Sequence, residues 1–425
     1  MATILLSSTI SQKEDADEDA PLPLAKLRTV ISHETYLWLE EADAKESEWK
    51  AQLAEERSNV MIDLFGSDEN ADNNSEGSNE KRQRHDRYET RIKEWTSSHQ
   101  NSDGFGGISI GDNDDDFVNR SCFPEENYDG NHSENPKVEN EHNSENGSIT
   151  VKYILSEAPG GHGDAIWAAS RHVANLFANV KKCRDLLSPI LNQDDDDQFI
   201  RNGDVDYVQD LSRNPLIGKR VIELGAGAGI PSWSALHCGA DLVVCTDQGI
   251  ADRIRCLAEC ALRNLEDIEK RTEQSKQFGG EEFNTNNDLN CGIVKVCPYS
   301  WGTPIDPILE TIRCSNSQQD KELDQVHLFD VVIAADCIYM PDFHEPLLKS
   351  IKLLIHRPNK SDHRWGMALL PFALHGNTKD ENVWNIVPLA IEMGFEVEVL
   401  EGVQLTPQWK NMDMKRGFVN MLRLT

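Results

Sequence analysis

Residues Val221–Gly249 read VIELGAGAGIPSWSALHCGADLVVCTDQG, and the order of residue types in this stretch decides the architecture. An apolar run ending at Leu224 reads as a strand. Glycines follow at 225, 227 and 229, then a helical stretch, and DLVVCTD reads as a second strand ending in Asp247. Strand, glycine turn, helix and strand together make a βαβ unit, which sets two parallel strands side by side. Ligands of such sheets bind beyond the carboxyl ends of the strands, where strand order reverses. Gly225 is the first residue past such an end.

The same alternation extends in both directions. Upstream, SITVKYIL (148–155) reads as a strand. GDAIWAASRHVANLFANV (163–180) reads as a helix with Ile166, Trp167, Val173, Leu176 and Phe177 on its apolar face. Downstream come a helix at 250–265, strands at 291–299 and 329–336, a helix at 343–355, a strand at 364–372 and a helix at 381–394. The expected class is α/β with a doubly wound, largely parallel sheet. The last two strands, FEVEVLE (395–401) and GFVNMLRLT (417–425), lack an intervening helix, so the sheet is expected to end with one antiparallel strand. Polar segments near 191–212 and 268–290 read as surface insertions.

This periodic part covers 148–425. Before it, residues 1–65 read as a helical extension of one or two amphipathic helices, expected to pack peripherally on the main domain. Residues 66–147 are rich in Asp, Glu, Asn, Ser and Gly and are expected to be disordered, because such sequence buries too little apolar surface to offset its ordering entropy. A basic, helix-like stretch, EKRQRHDRYETRIKEW (80–95), interrupts them.

A formal net charge of −31 over 425 residues argues against a nucleic-acid-binding surface, which needs clustered Lys and Arg, and suits a basic partner. Ten cysteines without a C-x-x-C pair argue against a zinc site, and no metal is expected. The amino terminus lacks the basic and apolar regions of a signal peptide, and no run reaches membrane-spanning length. A reduced, cytoplasmic protein is expected.

The glycine spacing narrows the ligand. The dinucleotide fingerprint needs its third glycine where this chain has Ile230, and the G-x-x-x-x-G-K-[ST] phosphate loop is absent. Glu223, two residues before Gly225, would repel a pyrophosphate but could pair with an ammonium group. Asp247 could accept both hydroxyls of a ribose. A ribose at one end and an α-amino acid at the other describe S-adenosylmethionine (SAM).

Taken with GGHGDAIWAASRHVANL, VCPYSWGTP and FDVVIAADCIYMPDFHEPLLKSI, this stretch resembles class I SAM-dependent methyltransferases. Within them it is similar to the seven-β-strand lysine methyltransferase group that includes nicotinamide N-methyltransferase-like proteins acting on translation elongation factor. The resemblance runs from about Ile149 to the end. It implies a seven-stranded Rossmann-like sheet and makes Trp167 a cofactor contact, Gly225, Ala226 and Gly227 the methionine cradle and Asp247 the ribose acceptor. It also places Trp301 near the adenine and Ala335 under the cofactor. Asp336 and Tyr339 form the D-x-x-Y signature. Asp336 is expected to orient an incoming amine, and Tyr339 to shape its pocket.

Phe372, His375 and Asn377 are candidates for lining the acceptor site, whereas His162, His344 and His375 are set aside as catalytic groups. The leading expectation is N-methylation of a lysine or N-terminal amine on a cytosolic protein, with elongation factor the specific substrate suggested. The alternatives are a nicotinamide-like small-molecule acceptor, a non-catalytic binding protein and an NAD-dependent oxidoreductase. The glycine spacing disfavours the last.

Overall fold

The computed structural model describes residues 21–65, 92–97, 148–156, 165–191, 213–278, 292–313, 328–356, 366–374, 378–405 and 417–425. In chain order its elements are α1 (Leu24–Leu27), α2 (His33–Phe65), β1 (Ile92–Thr96), β2 (Thr150–Ile154), α3 (Ala168–Ala178), α4 (Val180–Leu191), β3 (Arg220–Leu224), α5 (Ile230–His237), β4 (Leu242–Asp247), α6 (Ala251–Phe278) and β5 (Ile293–Pro298). There follow α7 (Asp306–Arg313), β6 (Val331–Ile333), a 3-10 turn (Pro341–Phe343), α8 (His344–Leu354), β7 (Met367–Ala373), α9 (Asp380–Trp384), α10 (Ile386–Glu392), β8 (Val397–Gln404) and β9 (Phe418–Leu424).

Seven strands form one sheet in the order β5-β4-β3-β6-β7-β9-β8. Strands β3 to β7 run parallel to one another, and β9 is antiparallel to both β7 and β8. The expected α/β, doubly wound, mostly parallel sheet is therefore present. Its antiparallel strand is terminal in sequence but lies one place in from the sheet edge. β4 and β7 are buried along their whole lengths, as strands covered by helices on both faces must be. Alternation along β3 sends Val221 into the core beneath α3 and α5, and Ile222 and Leu224 into the core beneath α8.

From β3 the chain moves outward to β4 and β5, then returns to place β6 on the other side of β3. The switch point is thus between β3 and β6, where the Gly225 turn and Ala335-Asp336 emerge.

Several local expectations are corrected. SITVKYIL does form a strand, but in a separate two-stranded sheet, antiparallel to β1. The tail of the basic stretch expected to be helical, within 66–147, is that β1 strand. Trp95 is buried there, and burying an aromatic side chain gives a short strand an anchor that charge patterning does not reveal. The insertion near 268–290 begins as helix, since α6 continues to Phe278. The helix expected over 381–394 is broken into α9 and α10 at Asn385, three residues before Pro388. Residues 66–91, 98–147, 192–212 and 279–291 lie outside the described residues.

At the amino end, Leu27, Val30, Ile31, Tyr36 and Leu39 are buried. Ile31 bridges Val296 of the edge strand β5, whose amide donates to Val30 O at 2.7 Å. Arg255 of α6 pairs with Asp43 at 2.5 Å. This covers an otherwise open sheet edge, so residues 21–43 are packed onto the sheet and α6.

Candidate active site

Three glycines of the turn, 225, 227 and 229, all lie at positive φ (67°, 56° and 72°), where a side chain is strained. At Gly225 a Cβ would also stand 2.8 Å from the Trp301 ring and 2.9 Å from Cys337 Sγ. The turn is closed by Gly229 N–H donating to Ala226 O at 2.8 Å and tied to the next strand by Ala226 N–H donating to Thr246 O at 2.9 Å. Trp167, Gly225, Ala226, Gly227, Asp247, Trp301, Ala335, Asp336 and Tyr339 all line one cleft of about 380 Å³ at the switch point. That volume falls in the usual small-molecule range of about 300–1,000 Å³.

Asp247 ends β4 and is nearly buried. Its Oδ2 accepts from Gly227 N–H at 2.8 Å. Its Oδ1 accepts from Gln248 N–H at 2.7 Å and from Arg253 Nη1 at 2.8 Å. A carboxylate offers about four acceptor positions, so three fixed donors orient it and leave room for a further hydroxyl. Arg253, buried in the first turn of α6, also lines the cleft. Sequence reading missed it, because an arginine in a helical run carries no pattern of its own.

Asp336 follows β6 with φ 59°, a positive value found at no other non-glycine among the described residues. Its N–H donates to Pro371 O at 2.8 Å, and its Oδ1 accepts from Ala373 N–H at 3.2 Å. A backbone held in this costly region by its neighbours is the kind of strain that accompanies functional positions. Half-buried Tyr339 is joined to the segment after β7, where Thr378 Oγ1 donates to its carbonyl at 2.7 Å. Burial pushes its phenol pKa up, so the hydroxyl keeps its proton at neutral pH.

Trp301 presents its ring to the cleft with Phe343 edge-on at 6.2 Å. Phe343 and Met340 line the mouth and are 43% and 41% exposed.

Two residues do not sit where sequence reading put them. Glu223 is fully buried and does not line the cleft. Strand alternation turns it toward α5, where its Oε2 accepts from Ser232 N–H at 3.0 Å and Ser232 Oγ at 2.5 Å. Gly229 has no side chain to cap α5, and Glu223 caps it from the neighbouring strand. Phe372 is buried against Trp384 and faces the core. His344 is buried, with its ring 2.7 Å from Ile338 O, a structural contact. His162, His375 and Asn377 lie outside the described residues.

No family model matches the chain. Among curated proteins, the chain is 30% identical over 192 residues to the protein N-terminal and lysine N-methyltransferase EFM7 of Gibberella zeae, covering 45% of this chain and 62% of that protein. It is likewise 30% identical over 194 residues to the protein of that name from Kluyveromyces lactis, covering 46% and 62%. The match thus spans about three fifths of these relatives' length. Among solved structures, magnesium protoporphyrin IX methyltransferase from Synechocystis PCC 6803 with bound SAH aligns over 60% of this chain and 85% of that one, with a TM-score of 0.28 and 12% identity.

Proposed function

We propose that this protein is a SAM-dependent protein N-methyltransferase that modifies a lysine or an N-terminal amine of a protein substrate. The observation that carries the reading is the meeting, in one cleft at the switch point, of the nine residues that the family resemblance assigns to the cofactor and the acceptor amine. The similarity to proteins named as N-terminal and lysine N-methyltransferases supports it.

The cleft fits the cofactor. Gly225, Ala226 and Gly227 bring bare backbone to its floor, as a methionine moiety needs. Asp247 is oriented to accept a ribose hydroxyl, and the Trp301 ring offers an apolar wall for a purine. Small Ala335 allows close approach from below. SAM bound there would supply a methyl already activated on a sulfonium, leaving the protein to align the acceptor and exclude water.

Attack requires a neutral amine. Asp336, rigidly held at the rim of β6, is placed to accept a hydrogen bond from that amine and aim its lone pair. Tyr339 adds an aromatic wall that favours the positive charge forming on nitrogen. A nicotinamide-like acceptor would call for a closed chamber, whereas exposed Met340 and Phe343 leave this mouth open to a protruding side chain. For the specific substrate we propose a basic cytoplasmic protein such as translation elongation factor, to which the net charge of −31 is complementary.

Incubation with methyl-labelled SAM and cell lysate should label a protein band. Asp336→Asn should bind S-adenosylhomocysteine (SAH) as wild type does and lower labelling at least tenfold. Wild-type protein stabilised by NAD but not by SAM or SAH would overturn the reading.

A further inference from the structure

We infer that Ser350, fully buried on α8 and outside the cleft, is the positioning residue that sets the Trp301 wall, with Tyr299 as its partner. The inference rests on the cofactor reading above only for what the wall binds. Its geometry stands apart from that reading.

Trp301 belongs to a short polar loop between β5 and α7 with little secondary structure to hold it. Ser300 to Thr303 form a tight turn. Thr303 N–H donates to Ser300 O at 3.2 Å, the Thr303 hydroxyl donates to the same carbonyl at 2.7 Å, and Gly302 has φ 79°. Positive φ at the third position marks a type II turn, which places Trp301 at the second position. Such a turn fixes its own shape but not its placement on the protein.

Placement comes from α8. The Gly302 N–H has no partner within the turn and donates to Ser350 Oγ at 2.8 Å. The Tyr299 hydroxyl lies 2.9 Å from the same oxygen and 3.1 Å from Thr303 O. Ser350 Oγ lies 3.0 Å from Pro346 O, one helical turn back. One proton arrangement joins them: Ser350 donates to Pro346 O, and its oxygen accepts from both the Gly302 N–H and the Tyr299 hydroxyl. A Cβ on Gly302 would stand 3.1 Å from Pro346, so the turn rests directly on the same face of α8.

The consequence reaches the cleft from two sides. The indole packs so close to Gly225 that a Cβ there would meet it, and Phe343, just before α8, supports the ring edge-on. Trp301 is therefore clamped between the glycine turn and α8, and Ser350 is the hydroxyl that sets the loop's distance from the helix. An alanine there removes the acceptor that ties the Gly302 N–H to α8, which lets the turn shift.

The test measures SAH affinity calorimetrically for wild type, Ser350→Ala, Tyr299→Phe, Trp301→Ala and the Ser350→Ala/Trp301→Ala pair. It also follows the 5-fluorotryptophan resonance of Trp301, assigned by its loss in Trp301→Ala. Ser350→Ala should weaken SAH binding about tenfold, raise KM for SAM more than it lowers kcat, and shift the Trp301 resonance without ligand. In the Trp301→Ala background it should have little further effect on affinity. An unmoved Trp301 resonance in Ser350→Ala would overturn the inference, as would an undiminished loss of affinity in the Trp301→Ala background. Wild type failing to bind SAH would overturn the cofactor reading, while the fluorine resonance would still decide the positioning claim.

Discussion

At Glu223 a carboxyl that stands beside the glycines in sequence is carried by strand alternation into the core. Burial pushes its pKa up to about 8 against its two bonds from Ser232, and Asp247 nearby pushes the same way. A raised folded-state value means that the native state holds a proton the unfolded chain releases. Stability contributed by this group is therefore complete below about pH 4.5 and lost as pH rises toward about 8. His172 and His237, both pushed down to about 4 by burial, act oppositely, losing stability as pH falls below 6.5. Between pH 6.5 and 8 the Glu223 slope is unopposed by these two. Wild type should lose about 2 kcal/mol across that window, and Glu223→Gln, which keeps an acceptor for Ser232, should be flat. Equal wild-type stability by urea unfolding at the two pH values would refute the assignment. Residue type and spacing made Asp247 legible, and the family resemblance added Asp336 and Trp301. The direction of Glu223 was not, since one position along a strand reverses a side chain.

Among elements, α2 and the segment before it illustrate what periodicity leaves open. Their apolar residues indicated helix and peripheral packing. The place of packing, along edge strand β5 and against α6, follows from an unpaired strand edge and the Arg255–Asp43 ion pair. Because Leu39 is fully enclosed (1% exposed), Leu39→Ala should destabilise the domain by roughly 2–5 kcal/mol, the usual cost of a buried leucine. Thermal unfolding is the check, and a change below about 0.5 kcal/mol would show that the amino-terminal helix is not part of the cooperative unit. α6 adds a functional link, since its first turns carry Arg253 to Asp247 in the cleft and Arg255 to Asp43 outside it. The β1 strand escaped sequence reading because a five-residue strand in charged surroundings owes its existence to its partner β2.

For the whole molecule, the net charge of −31 is a long-range property that no single contact expresses. With a basic protein acceptor, association should weaken as salt shortens the screening length from about 10 Å at 0.1 M to about 3 Å at 1 M. KM for the protein substrate should rise several-fold over that range while the affinity for SAH changes less than twofold. A salt-independent KM would show that the acidic surface plays no part in recruitment.

By itself the sequence determined the α/β class, the alternation of strands and helices around the glycine turn, and that turn itself. These depend on local periodicity, backbone conformation and spacing along the chain. Only the tertiary structure decided the place of β9 inside the sheet, the inward turn of Glu223, the clamp of Arg253 on Asp247 and the support of the Trp301 turn by Ser350. Each of these brings together groups from different elements, and such contacts come into being only when the sheet and its covering helices close around a common core.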